Sequence, residues 1–102
     1  MKEYKVRILD TVFADIDDIA DFIVSVSTLE HAVKYARELG AEIMTLRYLA
    51  DFIPESRYRS VRHYHPHAKQ LRTHNKQLNI IFHIEDDYVI VDKILASKMI
   101  IN

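Results

Sequence analysis

Gln77 to Ala96 reads QLNIIFHIEDDYVIVDKILA, and the fold turns on this stretch. Its apolar residues follow a period of two, the repeat of a β-strand whose successive side chains point to opposite faces. Gln77 to Glu85 is one strand, Glu85-Asp86-Asp87 a polar turn, and Tyr88 to Ala96 the returning strand. Val89, Ile90, Val91, Ile94 and Leu95 are β-formers that ask for burial on both faces, so this last strand belongs in the middle of its sheet. Working backwards, His67 to His74 reads as a third strand of the meander, with Asn75-Lys76 near a turn.

The first half of the chain follows other periods. Tyr4 to Leu9 alternates apolar and polar residues and reads as a half-buried strand. Asp10 and Thr11 are good N-cap residues. After them Val12, Ile16, Ile19, Ala20 and Ile23 recur at helical spacing, with Asp15, Asp17, Asp18 and Asp21 on much of the remaining surface, which predicts an amphipathic helix over 12–26. Ser27-Thr28-Leu29-Glu30 matches a capping box. It opens a second helix with Leu29, Ala32, Val33, Ala36, Leu39, Ile43 and Leu46 on its inner face, ending before Pro54. Ala32, Ala36 and Gly40 form a row that either admits a close helix neighbour or contains an ordinary tolerated glycine. The resulting order is β-α-α-β-β-β, an α+β fold in which a helical hairpin lies on one mostly antiparallel sheet. The first strand has to join that sheet, because a lone strand cannot satisfy its backbone.

Composition limits the remaining possibilities. A chain of 102 residues, 49% hydrophobic and with net charge -1, fits one domain, residues 1–102, with a real core. Zero Cys excludes disulfides and thiolate metal sites and suits a reducing cytoplasm. No apolar run is long enough for a membrane span, and acids interrupt the N-terminal segment before a signal-peptide core forms.

The small net charge conceals a strong asymmetry. Arg57 to Lys76 (RYRSVRHYHPHAKQLRTHNK) holds six Lys/Arg and four His with no Asp or Glu, whereas Met1 to Glu55 holds eleven acids against six Lys/Arg. Such a strip calls for an anionic partner or an acidic protein that covers it.

The whole-length pattern resembles the RelE/ParE superfamily, the toxin components of bacterial type II toxin–antitoxin modules that include plasmid stabilisation proteins. The resemblance rests on YKVRILDTVFADIDDIADFI, on the helix-ending LADFIPES and on LRTHNKQLNIIFHIEDDYVIVDKILASKM. Arg72 matches the family's recurrent arginine on the strand after the helices. Leu78 and Phe82 stand where many members carry tyrosines, and Val89 to Ile94 fits the final core strand. The resemblance implies a cytoplasmic growth inhibitor bound by a cognate antitoxin. Its target would be mRNA on the ribosome or, in the ParE branch, DNA gyrase. The pattern departs from many relatives at Ala96 and Lys98, where a His and an Arg are common. That departure leaves the enzyme question open and keeps a third reading, a non-enzymatic binding module on the same fold.

RNA cleavage of this type requires a base for the 2′-hydroxyl, an acid for the leaving oxygen and cations against the phosphate. Arg62, Arg72, His74 and Lys98 form the candidate catalytic set. Arg57, Arg59, Arg62, Lys69, Arg72 and Lys76 form the candidate nucleic-acid-binding set, since guanidinium groups grip phosphate bidentately. Tyr58 and Tyr64 lie between the cations and could stack on bases, and His63, His65, His67 and His83 are further proton-transfer candidates. His63-x-His65-x-His67 would point three rings to one side of an extended chain, but Pro66 distorts the segment and no nearby carboxylate completes a metal shell; no metal and no cofactor are expected. Lys93, within an apolar strand, is expected to snorkel or to pair with Asp92 or Glu85. A second copy of the chain is a further candidate partner, through contact between the acidic helix and the basic strip.

Overall fold

The computed structural model describes Lys2 to Asn102. Its sheet has the order β1-β4-β3-β2, with β1 at Lys5–Ile8, β2 at Lys69–Arg72, β3 at Leu78–Glu85 and β4 at Tyr88–Ala96. β4 pairs parallel with β1 and antiparallel with β3, and β2 pairs antiparallel with β3. The first strand therefore joins the meander, and the last strand is internal, as the alternation requires. The β3–β4 turn places Asp86 at φ 54, a left-handed conformation that Asp tolerates better than most residues.

The pairing has one irregularity, and it sorts the side chains. Phe82 pairs with Val91 while Ile81 pairs with Lys93, so Asp92 is an extra residue on β4. This β-bulge shifts the alternation by one step. Val89, Val91 and Ile94 consequently share one core with Ile80 and Phe82, although Val91 and Ile94 are three apart in sequence. Val12, Leu39, Ile43 and Leu46 complete that core from the helices. The opposite face of the sheet carries a smaller cluster of Val61, Ala68, Ile81 and Leu95, with Ile100 against it.

The helices begin and end differently from the sequence reading. α1 spans Asp10–Val26 and its N-cap is Leu9, which makes no side-chain cap. Neither Asp10 nor Thr11 caps it, because Leu9 is still extended and its N–H still bonds to Val91 across the sheet. α1 also consumes Ser27, whose N–H closes its last turn on Ile23. α2, at Leu29–Met44, is therefore capped by Thr28, which accepts from the His31 N–H at 3.1 Å, one residue later than the expected capping box. The single long helix ending at Pro54 is in fact three pieces. Thr45 turns its hydroxyl back onto the Glu42 carbonyl at 2.6 Å, a bond that competes with helix continuation. After it come a short α3 at Leu46–Leu49 and a 3-10 turn at Ala50–Phe52.

The inner face of α2 starts at Ala32: Leu29 is 68% and Val33 49% exposed. A Cβ at Gly40 would meet open space, so that position is an ordinary helix glycine and not a close-approach site. Lys93 pairs with neither Asp92 nor Glu85. It crosses to α1 and meets Asp15 at 3.0 Å, which also removes Asp15 from the solvated acidic face expected of that helix. At the start of β1, Tyr4 donates to Asp51 at 2.5 Å. That bond above all, with burial, pushes the phenol up to about 12. No helix among the described residues is long and apolar enough to cross a membrane.

Candidate functional site

The first part of the basic strip lies over the sheet face that the helices leave bare, where Val61 and Ala68 pack on Ile81 and Leu95. It folds into a short helix, α4, at Arg59–Arg62, preceded by an extended Tyr58. Val61 is fully buried and anchors this turn of helix, which forces Arg59 and Arg62 outward. His63 continues the turn through its N–H bond to Arg59. Arg57, Arg59, Arg62 and His63 then line one open cleft together with Pro66 and Asn102. The last residues of the chain reach this cleft because Ile101 and Ser60 bond in both directions, N–H to Oγ at 2.9 Å and N–H to carbonyl at 3.2 Å.

The cations of the strip fall into two classes. Lys69 is half-buried and donates to the Ala50 carbonyl at 3.0 Å, tying β2 to the end of the helical layer. Arg57, Arg59, Arg62, Arg72, Lys76 and Lys98 are exposed, and among the described residues none of them forms an ion pair. Cations left without carboxylates in one region are available to an external anion. Arg72 closes β2, and Lys76 stands in the β2–β3 turn at φ 65. Lys98 comes close to that turn, because Ser97 donates its N–H to Gln77 and its hydroxyl to the Lys76 carbonyl.

The structure divides the candidate catalytic set. Arg62 lies in the arginine cleft. His74 lines a different cleft, against Tyr35, Glu38 and Glu42 of α2, and its N–H is held by the Glu42 carboxylate. His63 is the imidazole that stands with the arginines.

A chain of hydrogen bonds connects the two ends of this surface. The Tyr58 N–H donates to Ser56 Oγ at 3.1 Å, and that hydroxyl donates to Gln70 Oε1 at 2.9 Å. Gln70 Nε2 donates to Asn79 Oδ1 at 3.3 Å, Asn79 Nδ2 to Ser97 Oγ at 2.9 Å, and Ser97 Oγ to the Lys76 carbonyl at 2.7 Å. Asn79 is fully buried at the centre of this relay. The relay fixes the distance between the arginine cleft and the Lys76–Lys98 end. A sequence signal for it existed: Asn79, His83 and Glu85 occupy alternate positions of an otherwise apolar strand, so the bare face of β3 had to be polar.

The second polar group on this face is His83. Its Nδ1 lies 2.7 Å from Asp92 Oδ2, and its Nε2 lies 3.4 Å from Glu85 Oε2. Burial pushes the Asp92 carboxyl above its usual range, and the bond to His83 pulls the other way. His65 lies flat on His83, with centroids 3.7 Å apart and planes 1° from parallel. His67 turns away to Glu55 at 3.0 Å. The three histidines therefore do not form the one-sided ribbon of an extended chain, because the backbone here is a helical turn and a bend. Face-to-face rings hold their lone pairs in parallel planes and cannot converge on one ion. Among the described residues, no group of three or more His, Cys, Asp or Glu is arranged to hold a metal.

This architecture, helices packed on a four-stranded mixed sheet, is a RelE/ParE-like fold. No family model and no curated protein matches the sequence. Among solved structures, a chain of the chromosomal ParDE TA system from P. aeruginosa superposes with a TM-score of 0.76. The match covers 92% of this chain and 96% of that one, at 16% identity.

Proposed function

We propose that this protein is the toxin of a bacterial type II toxin–antitoxin module, cytoplasmic, and that it stops growth by acting on translation through RNA bound at its basic face. The observation that carries this reading is the cleft of Arg57, Arg59, Arg62 and His63, three unpaired guanidinium groups beside an imidazole on a RelE/ParE-like fold. Guanidinium groups supply bidentate phosphate contacts and charge stabilisation, and an imidazole supplies proton transfer at neutral pH. Tyr58, 43% exposed in the adjoining cleft that shares Arg57 and Asn102, offers a stacking surface for a base. Arg72, Lys76 and Lys98 extend the phosphate track towards the β2–β3 turn. The same unpaired cations suit the acidic segment of a cognate antitoxin, whose binding would block the cleft.

A second reading is inhibition of DNA gyrase without catalysis. Two observations favour it: a structural neighbour is a chain of a ParDE system, and the candidate catalytic residues Arg62 and His74 line separate clefts.

Controlled induction of the chain alone in a bacterium, with pulse labelling of protein, RNA and DNA synthesis, separates the readings. The proposed function expects protein synthesis to fall first and transcripts to be cut, with both effects weakened in an Arg59→Ala/Arg62→Ala variant. A primary fall in DNA synthesis with intact transcripts moves the protein to the gyrase reading. Normal growth with folded protein present contradicts both.

A further inference from the structure

The turn that lines one side of the arginine cleft, residues 63–67, is fastened to the sheet in an unusual way. Its ends are held by apolar burial, at Val61 and Ala68. Its middle is held by one imidazole. His65 stacks on the buried His83 and, through Nδ1, accepts the N–H of His67 at 3.1 Å. An imidazole nitrogen that accepts a hydrogen bond is unprotonated. The fastening therefore requires neutral His65.

Proton uptake at His65 acts against both contacts. The new Nδ1–H faces the His67 N–H, so an acceptor becomes a donor and the bond is lost. A positive charge also arises against the face of His83. The charged and titratable groups around the pair decide whether that charge is tolerated. From β4, Asp92 is already engaged by His83; from β3, Glu85 is largely exposed and only 3.4 Å from the far nitrogen of His83. From the segment before α4, Glu55 is taken by His67. On the turn itself, His63, His67 and the neighbouring Arg62 add positive charge or can gain it. Asp92 faces both rings and is already bonded to His83, so a proton on His65 has no carboxylate of its own.

We propose that the His65–His83 stack is a proton-operated latch on the turn of the arginine cleft, closed while His65 is neutral and released when His65 takes up a proton. Release frees His63 and Pro66 from their fixed positions while Val61 still anchors the arginines of α4, so the side of the cleft that the turn lines is formed only on the neutral side. The inference concerns how the cleft is held and is independent of which anion the cleft binds.

Amide hydrogen exchange of the intact protein, read by NMR at about pH 7.5 and about pH 5 and corrected for intrinsic rates, tests it, since histidine is the side chain that changes charge across this interval. The His67 and Ala68 amides are expected to lose protection on the order of tenfold on acidification while β3 and β4 amides keep theirs. The nitrogen shifts of His65 should report proton uptake over the same interval. His65→Asn keeps an acceptor two residues before the His67 amide but cannot take up a proton, so its turn should show protection that does not change with pH. Unchanged protection in the wild-type turn overturns the proposal. So does a loss that precedes His65 protonation, or one that persists in H65N.

Discussion

The two faces of the sheet are built on different physical principles. The centre of the helix-covered face is apolar: Phe82, Ile80, Val89, Val91 and Ile94 meet Val12, Leu39, Ile43 and Leu46, with the Tyr4–Asp51 pair at its margin. The bare face has a small apolar cluster surrounded by hydrogen-bonded polar groups, Asn79, Gln70, Ser56 and Ser97, and by the Asp92–His83–His65 stack. Area burial stabilises without fixing directions, whereas hydrogen bonds fix directions and contribute little net stability. The first face accordingly holds the fold together, and the second holds side chains in position. The charge distribution leans the same way: most acids of the first half sit on or beside the helices, and the acid-free run of cations from Arg57 to Arg62 lies over the bare face.

This contrast is sharpest at single residues. Phe82→Ala empties the centre of the apolar face and is expected to cost about 3–5 kcal/mol in urea unfolding, enough to unfold much of the population of a marginal domain. A loss below about 1 kcal/mol would mean that the apolar face does not carry the fold. Asn79→Ala strips the relay at its centre: the Gln70 amide loses its acceptor, and the Ser97 hydroxyl loses the bond it accepts while still donating to the Lys76 carbonyl. The expected cost is smaller, about 1–3 kcal/mol. The consequence specific to this account is that Tyr58 and Lys76 amides exchange faster while β3–β4 amides near Phe82 do not. Uniform loosening of the whole sheet would erase the distinction between the faces.

The fold was largely legible in the sequence, because hydrophobic period is a long-range signal averaged over many residues. β3 and β4 lie where the alternation of Gln77 to Ala96 puts them, within one residue. The errors arose where a single side chain decides. Thr45 breaks the helix through a bond to Glu42, Thr28 takes the cap from Ser27, and the bulge at Asp92 resets the alternation. β2 is shorter than His67 to His74, because His67 faces Glu55 and Thr73 already turns to Leu78. The site was legible as a charge pattern and not as a geometry. The acid-free run from Arg57 to Lys76 points to an anion-binding surface, but nothing in the run reveals that Lys69 is used internally while Arg57, Arg59 and Arg62 share a cleft. His83 and Asp92 meet because of the strand pairing and the bulge, which no local pattern shows.

The most direct test of the central claim, that the bare face is an anion-binding surface independent of the stabilising face, is the salt dependence of single-stranded RNA binding. It would compare the wild type with an Arg57→Ala/Arg59→Ala/Arg62→Ala variant. Three lost phosphate contacts should reduce the slope of log affinity against log salt by about 2, at about 0.7 per phosphate for single strands. Unfolding stability should stay within about 0.5 kcal/mol, because these side chains are exposed and unpaired. An unchanged slope, or a loss of binding matched by a loss of stability, would contradict the account.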